Sequence, residues 1–108
     1  MKLKKGVTIN RLNIEMRHVL KIAEEVWKDH GAECVITSGD EKTTTFGKLI
    51  HLAHSYHYFG YALDFRIRYF DMSTRIKVYK ILQKRLDNIS SKFQVMLREY
   101  YIHVEYNA

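Results

Sequence analysis

At 108 residues and 12.9 kDa the chain has room for one hydrophobic core, which predicts a single domain over 1–108 and excludes two independent catalytic units. Its 46% hydrophobic and 28% charged residues argue against disorder, and a charged residue or His interrupts every apolar run before the roughly 18 residues that a membrane span needs. The net charge of +6 is uneven, because nine basic residues between Arg66 and Arg98 meet only Asp71 and Asp87, and this predicts a basic face in the second half.

The opening MKLKKGVTINRLNIEM begins with a basic cluster but lacks the apolar stretch of roughly 7 to 15 residues of a secretion signal, so the expected location on synthesis is the cytoplasm. The single Cys34 excludes an internal disulfide and a thiolate zinc knuckle. Any metal site must rest on His and carboxylates.

In chain order, Met16, Val19, Leu20, Ala23, Val26 and Trp27 recur at helical steps and predict a helix over Asn13 to His30, with Asn13 as N-cap and Gly31 as its stop. Glu33 to Ser38 follows as a strand built around Val35, Ile36 and Thr37. Gly39 to Tyr56 shows no period and reads as a long loop of the kind that tends to be functional. Tyr61 to Ile67 alternates and predicts a half-buried strand, with Tyr61, Leu63, Phe65 and Ile67 inward and Ala62, Asp64 and Arg66 outward. Ser73 to Ile89 is a second helix with the stripe Val78, Tyr79, Leu82, Leu86 and Ile89, and Lys77, Lys80 and Lys84 opposite. Phe93 to Tyr106 supplies one or two strands with a break near Arg98 to Tyr100. This order predicts an α+β fold, two main helices packed on a small, mainly antiparallel sheet.

Chemistry concentrates in Ser55-Tyr56-His57-Tyr58-Phe59-Gly60-Tyr61-Ala62-Leu63-Asp64 and, far downstream, Ile102-His103-Val104-Glu105. His57 and Asp64 would point to opposite faces of one regular strand, so they converge only if the chain turns between them, and Gly60 is the residue most able to turn it. His103 projects opposite the apolar Ile102 and Val104, as Asp64 does opposite Leu63 and Phe65. Two imidazoles and a carboxylate with an open fourth position describe a catalytic zinc site better than a structural one.

These residues resemble the zinc D-alanyl-D-alanine carboxypeptidases, a family that includes vancomycin-resistance dipeptidases and phage L-alanyl-D-glutamate endolysins. The pattern Ser-x-His-x-x-Gly-x-Ala-x-Asp is matched at Ser55, His57, Gly60, Ala62 and Asp64, and Ile102 to Tyr106 looks like the closing strand. Thr37-Ser38-Gly39 and His51 are also similar, so the likeness runs from about Val7 to Tyr106. The resemblance implies a hedgehog/D-Ala-D-Ala peptidase-like fold, zinc held by His57, Asp64 and His103, and hydrolysis of peptide bonds in peptidoglycan stem peptides. It also implies substrate contacts at Ser38, His51 and Ser55; His54, in the same loop, reads as a solvated side chain.

One position departs from the pattern. Relatives place an acid three residues before the last zinc His, where this chain has Tyr100. Glu99 is the first candidate for the general base, but in an extended strand its Cα would lie about 13 Å from that of His103, so it serves only if a turn folds it back. Glu105, on the face of His103, is the second candidate and a natural hydrogen-bond partner of a ligand. Tyr56, Tyr58, Tyr61, Tyr100 and Tyr101 are expected to wall a substrate groove, and either Arg66 or Arg98 to hold a substrate carboxylate. The Lys77, Lys80 and Lys84 face reads first as the solvated side of its helix, with attraction to anionic wall polymers as the functional alternative. The rival to the peptidase is a non-catalytic wall-binding or phage structural module; a basic nucleic-acid binder ranks last, and no nucleic-acid partner is expected.

Overall fold

The computed structural model describes residues 1–41, 57 and 60–108. Five strands and two helices follow one another as β1 (Lys2–Leu3), α1 (Ile14–Asp29), β2 (Val35–Ser38), β3 (Ala62–Arg66), α2 (Met72–Asp87), β4 (Phe93–Leu97) and β5 (Tyr101–Tyr106). The sheet order is β1-β2-β3-β5-β4, with β1 parallel to β2 and every other pair antiparallel. This is the expected α+β arrangement, with both helices packed on a mainly antiparallel sheet.

Helix α1 forms where its apolar period and caps place it. The Asn13 side chain accepts the Glu15 amide at 3.0 Å, and Gly31 at φ 74° lies just past the His30 C-cap. It buries Met16, Val19, Ile22, Ala23, Val26 and Trp27. Trp27 ties the helix to the sheet: its ring lies 5.5 Å from that of Phe65, and its indole N–H donates to the Arg66 carbonyl at 2.8 Å. Helix α2 is capped by Asp71, whose carboxylate accepts the Thr74 amide at 2.7 Å, and buries Val78, Leu82 and Leu86. It ends at Asp87, so Ile89, expected at the end of its stripe, falls beyond the helix and is exposed. No helix among the described residues is long and apolar enough to cross a membrane.

The core lies between the helices and one face of the sheet, where Ile36, Leu63, Phe65, Phe93, Val95, Ile102 and Val104 point. Cys34 joins it, and burial pushes its thiol up to about 12.

Two features differ from the sequence expectation. β3 is buried on both faces rather than half-buried: Ala62 and Asp64 are buried along with Leu63 and Phe65, because the outer face carries a cluster of polar side chains that cover one another. β1 has no counterpart in the sequence reading, since two exposed residues carry no period. Its pairing with β2 brings the basic N-terminal segment to the sheet edge.

Candidate metal centre

On the sheet face turned away from the helices, the register sets Asp64 opposite His103, Ala62 opposite Glu105 and Arg66 opposite Tyr101. β2 reaches this face through an irregularity. Ile36 pairs with Phe65 but Ser38 pairs with Asp64, so two steps on β2 match one on β3. In a regular strand Ser38 would share the core face of Ile36; the bulge moves it beside Asp64 instead.

His57 arrives from outside the sheet. Gly60 adopts φ 74°, its N–H donates to the His57 carbonyl at 3.1 Å, and its own carbonyl accepts the Asn13 amide at 3.0 Å. This is the turn that the spacing of His57 and Asp64 demands. It leaves His57 Nε2 3.4 Å from Asp64 Oδ2, while His103 Nδ1 lies 2.7 Å from Asp64 Oδ1 and the two imidazole rings stand 5.2 Å apart. One ligand atom from each of the three residues lies within 4.8 Å of the others, so the group could hold a metal ion.

The far side of each imidazole supports that role. His57 Nδ1 lies 3.0 Å from the Gly39 carbonyl, which can only accept, so this nitrogen carries the proton and Nε2 is the ligand atom. His103 Nε2 lies 2.9 Å from Glu105 Oε1, a carboxylate that fixes the opposite tautomer and makes Nδ1 the ligand atom. Both rings thus anchor one nitrogen and turn the other toward Asp64, where it can donate to the carboxylate in the absence of metal and would offer its lone pair to a bound ion, which is how metal-binding histidines are usually oriented. Glu105 therefore acts on His103, as a hydrogen-bond partner.

Burial by itself would raise the Asp64 pKa, but hydrogen bonds from His103 and His57, with their charges, outweigh it and hold the carboxyl below its ordinary range. Burial would lower His103, but its bonds to Asp64 and then Glu105 prevail and raise it. Metal competes with the proton on His103 Nδ1, so affinity for Zn²⁺ should fall on acidification through that raised value; a titration of affinity from pH 8 to 5 that stayed flat would contradict this. For the metal-free protein the sign reverses. The His103 contribution to stability is full below the ordinary value of 6.5 and is lost as pH rises through the raised one, while the Asp64 contribution is lost as pH falls through its lowered one. Chelator-treated protein should accordingly lose melting temperature on the alkaline side, and His103→Gln should flatten that slope.

The Gly39 carbonyl is itself held. Asp40 is fully buried; its side chain accepts from the Thr8 hydroxyl and the Arg11 amide, and its own N–H donates to the Thr8 carbonyl at 2.8 Å. Glu41, also buried, accepts the Gly39 amide at 2.9 Å and the Thr8 amide at 3.1 Å. These two carboxylates clamp residues 8–11 against 39–41 and so set the carbonyl that orients His57. Gly39-Asp40-Glu41 reads in sequence as the start of a solvated loop; the only signal against that was two acids directly behind a strand-end Gly.

An open cavity of about 360 Å³ adjoins Asp64, with Ser38, Arg66, Tyr100 and Tyr101 in its walls. Of the expected site residues, His57, Asp64 and His103 come together, and Ser38 lies in that wall. His51, His54, Ser55, Tyr56 and Tyr58 lie outside the described residues. Tyr61 is drawn off the groove to stack on Tyr106, with centroids 6.4 Å apart. Arg66, not Arg98, lines the cavity; Arg98 directs Nη2 to Met96 Sδ at 3.2 Å. Glu99 is exposed in the turn between β4 and β5, outside the three-residue cluster, and its carboxylate bonds the Tyr100 hydroxyl, raising that group's pKa. No family model matches the chain, and neither does any curated protein or solved structure.

Proposed function

We propose that the chain is a zinc-dependent peptidase that hydrolyses peptide bonds in peptidoglycan stem peptides, of endolysin or carboxypeptidase type. The observation that carries this reading is the His57, Asp64 and His103 cluster with both outer imidazole nitrogens anchored. The donor set of two imidazoles and one carboxylate suits Zn²⁺ and leaves coordination positions open for solvent and substrate. The resemblance in the segment Ser55 to Asp64 supplies the substrate class.

Zinc held by His57, Asp64 and His103 would supply Lewis acidity, polarising a scissile carbonyl and lowering the pKa of water toward about 7. Around it, His57 and His103 keep their ligand nitrogens aimed by Gly39 and Glu105, and Asp64 supplies the negative charge. Glu105 is committed to His103, so the general base in this reading is Glu99, whose exposed side chain would have to turn from Tyr100 toward the cavity to accept a proton at Oε and return it to the leaving nitrogen. General-base groups of this kind contribute about 10²- to 10⁴-fold.

A second reading, a wall-binding module that keeps the metal but not the turnover, is favoured by the exposure of Glu99 and its bond to Tyr100. One experiment separates the two. Purified peptidoglycan is incubated with the protein as isolated, after chelation, after Zn²⁺ restoration, and with Glu99→Gln. Release of amino groups that is lost, regained and then cut at least about 100-fold by the variant is the expected result. Binding without release at any stage selects the module, and release that chelation leaves untouched removes the metal from the reaction.

A further inference from the structure

We infer that Arg75, on the first turn of α2, orients the peptide between Glu99 and Tyr100 at the tip of the β4–β5 hairpin and so decides where the Glu99 carboxylate can go. This rests on the peptidase reading, in which Glu99 is the base, and adds the positioning residue behind it.

The hairpin needs such a residue because its own sequence does not fix its turn. Glu99 and Tyr100 stand at the tip, and the Arg98 N–H donates to the Tyr101 carbonyl at 2.9 Å across it. Arg98-Glu99-Tyr100-Tyr101 contains no Gly, Pro, Asn or Asp, the residues that commit a tight turn to one type. The alternative types differ mainly in which way the central peptide faces, and here that is the peptide between Glu99 and Tyr100. A flip of it changes the direction in which both side chains leave the backbone.

Arg75 holds this peptide from outside the hairpin. Its Nη1 donates to the Glu99 carbonyl at 3.0 Å, Nη2 to the Arg68 carbonyl at 3.2 Å, and Nε to the Phe70 and Ile67 carbonyls at 2.9 and 3.2 Å. One planar group thus ties the hairpin tip to the connection between β3 and α2. From that connection the Ile67 N–H donates to the Tyr100 carbonyl at 3.2 Å, so both carbonyls of the tip are committed. Among the described residues Arg75 forms no ion pair, and its oxygen partners are all main-chain carbonyls.

The helices and strands do not depend on this clamp. α2 has its own N-cap at Asp71, and β5 is laddered to β3 from Tyr101 to Glu105 and to β4 from Ile102 to Tyr106. What Arg75 adds is the placement of the tip, which borders the cavity. Tyr100 and Arg68 line that cavity beside Asp64, while Arg75 is outside its walls and works from behind. With the main chain pinned, Glu99 comes to the cavity by side-chain rotation alone. A reacting group misplaced by about 1 Å can cost about 10²-fold in rate, so a free tip would be felt in turnover.

The test uses the zinc-loaded full chain with Arg75→Gln, Arg75→Lys and, as a control at an exposed position of the same helix, Lys80→Gln. Zinc content, kcat and KM on a soluble stem peptide, and the NMR signal of the Tyr100 amide are measured for each. Arg75→Gln is expected to keep its zinc and its KM within about twofold, to lose at least about 10-fold in kcat, and to double or broaden the Tyr100 signal while those of Leu63 and Val104 stay single. Arg75→Lys should do nearly the same, because an ammonium lacks the planar fork, and it serves in place of the Gln variant should that one fold poorly. Lys80→Gln should match the wild type. Adding Arg75→Gln to Glu99→Gln should cost little beyond Glu99→Gln alone, since both act through one carboxylate. Losses that instead multiply would mark a general effect on the fold and overturn the inference, as would a single, unshifted Tyr100 signal. If no form hydrolyses the peptide, the peptidase reading falls, and the Tyr100 signal alone decides whether Arg75 orients the turn.

Discussion

If the chain is the proposed zinc peptidase, Asp64→Ala should leave it without bound zinc and lower peptidoglycan hydrolysis by at least about 10³-fold. Asp64 is the only one of the three candidate ligands that contributes negative charge, and it stands between the two imidazoles, 2.7 Å from one and 3.4 Å from the other. Without it, a divalent ion would face two neutral nitrogens in a region already lined by cations. Lewis-acid assistance is worth several kcal/mol, and each 1.4 kcal/mol is a factor of ten in rate. Metal analysis after dialysis against Zn²⁺, alongside amine release, reads both effects. Asp64→Asn keeps the shape and can still accept a hydrogen bond, so it should hold the fold better than the Ala variant while still losing most of the zinc. If either variant retained one zinc per chain, the centre would have to lie elsewhere.

Gly60→Ala should cost about 3 kcal/mol or more and disable the site at the same time. Two effects add. The backbone at φ 74° strains any L side chain by about 1–2 kcal/mol, and the added Cβ would sit 2.2 Å from the Arg11 carbonyl oxygen, a contact that only a shift of backbone relieves. For a chain of this size, 3 kcal/mol corresponds to a melting temperature roughly 12 °C lower or more. The same shift would move the peptide that positions His57, so zinc affinity should fall together with stability. Gly31→Ala offers the control: it shares the positive φ, at 74°, but has nothing within 4 Å of its added Cβ. A Gly60 variant no worse than the Gly31 variant would show that close approach to Arg11 is unimportant.

Much of this architecture was legible in the chain. The caps of α1, the two terminal strands and the break between them follow from local residue chemistry, and the need for a turn at Gly60 follows from the parity of His57 and Asp64. What escaped was set by contacts between distant polar residues. Ala62 and Asp64 look like a solvent face because hydropathy rates Asp as exposed, yet His57 and His103 cover that carboxylate. Ser38 changes face through a bulge that no pattern in Val35–Ser38 announces. Asp40 and Glu41 carry no period, and their burial depends on amides more than 25 residues earlier, those of Arg11 and Thr8. Arg66 and Arg98 are equivalent as sequence; only the register that sets Arg66 beside Tyr101 on the Asp64 face separates them.

The clamp formed by Asp40 and Glu41 has a consequence for when the ion can be captured. His57 is aimed only after residues 8–11 have docked, and His103 only after β5 has closed on β3, so the ligand set draws on segments some ninety positions apart. Such non-local closures are late events in assembly. Occupancy of the centre by a metal ion would therefore act as a gauge of the whole tertiary structure: during denaturation a bound ion should depart in the same cooperative step as the sheet, and a partly assembled chain should have no appreciable hold on it.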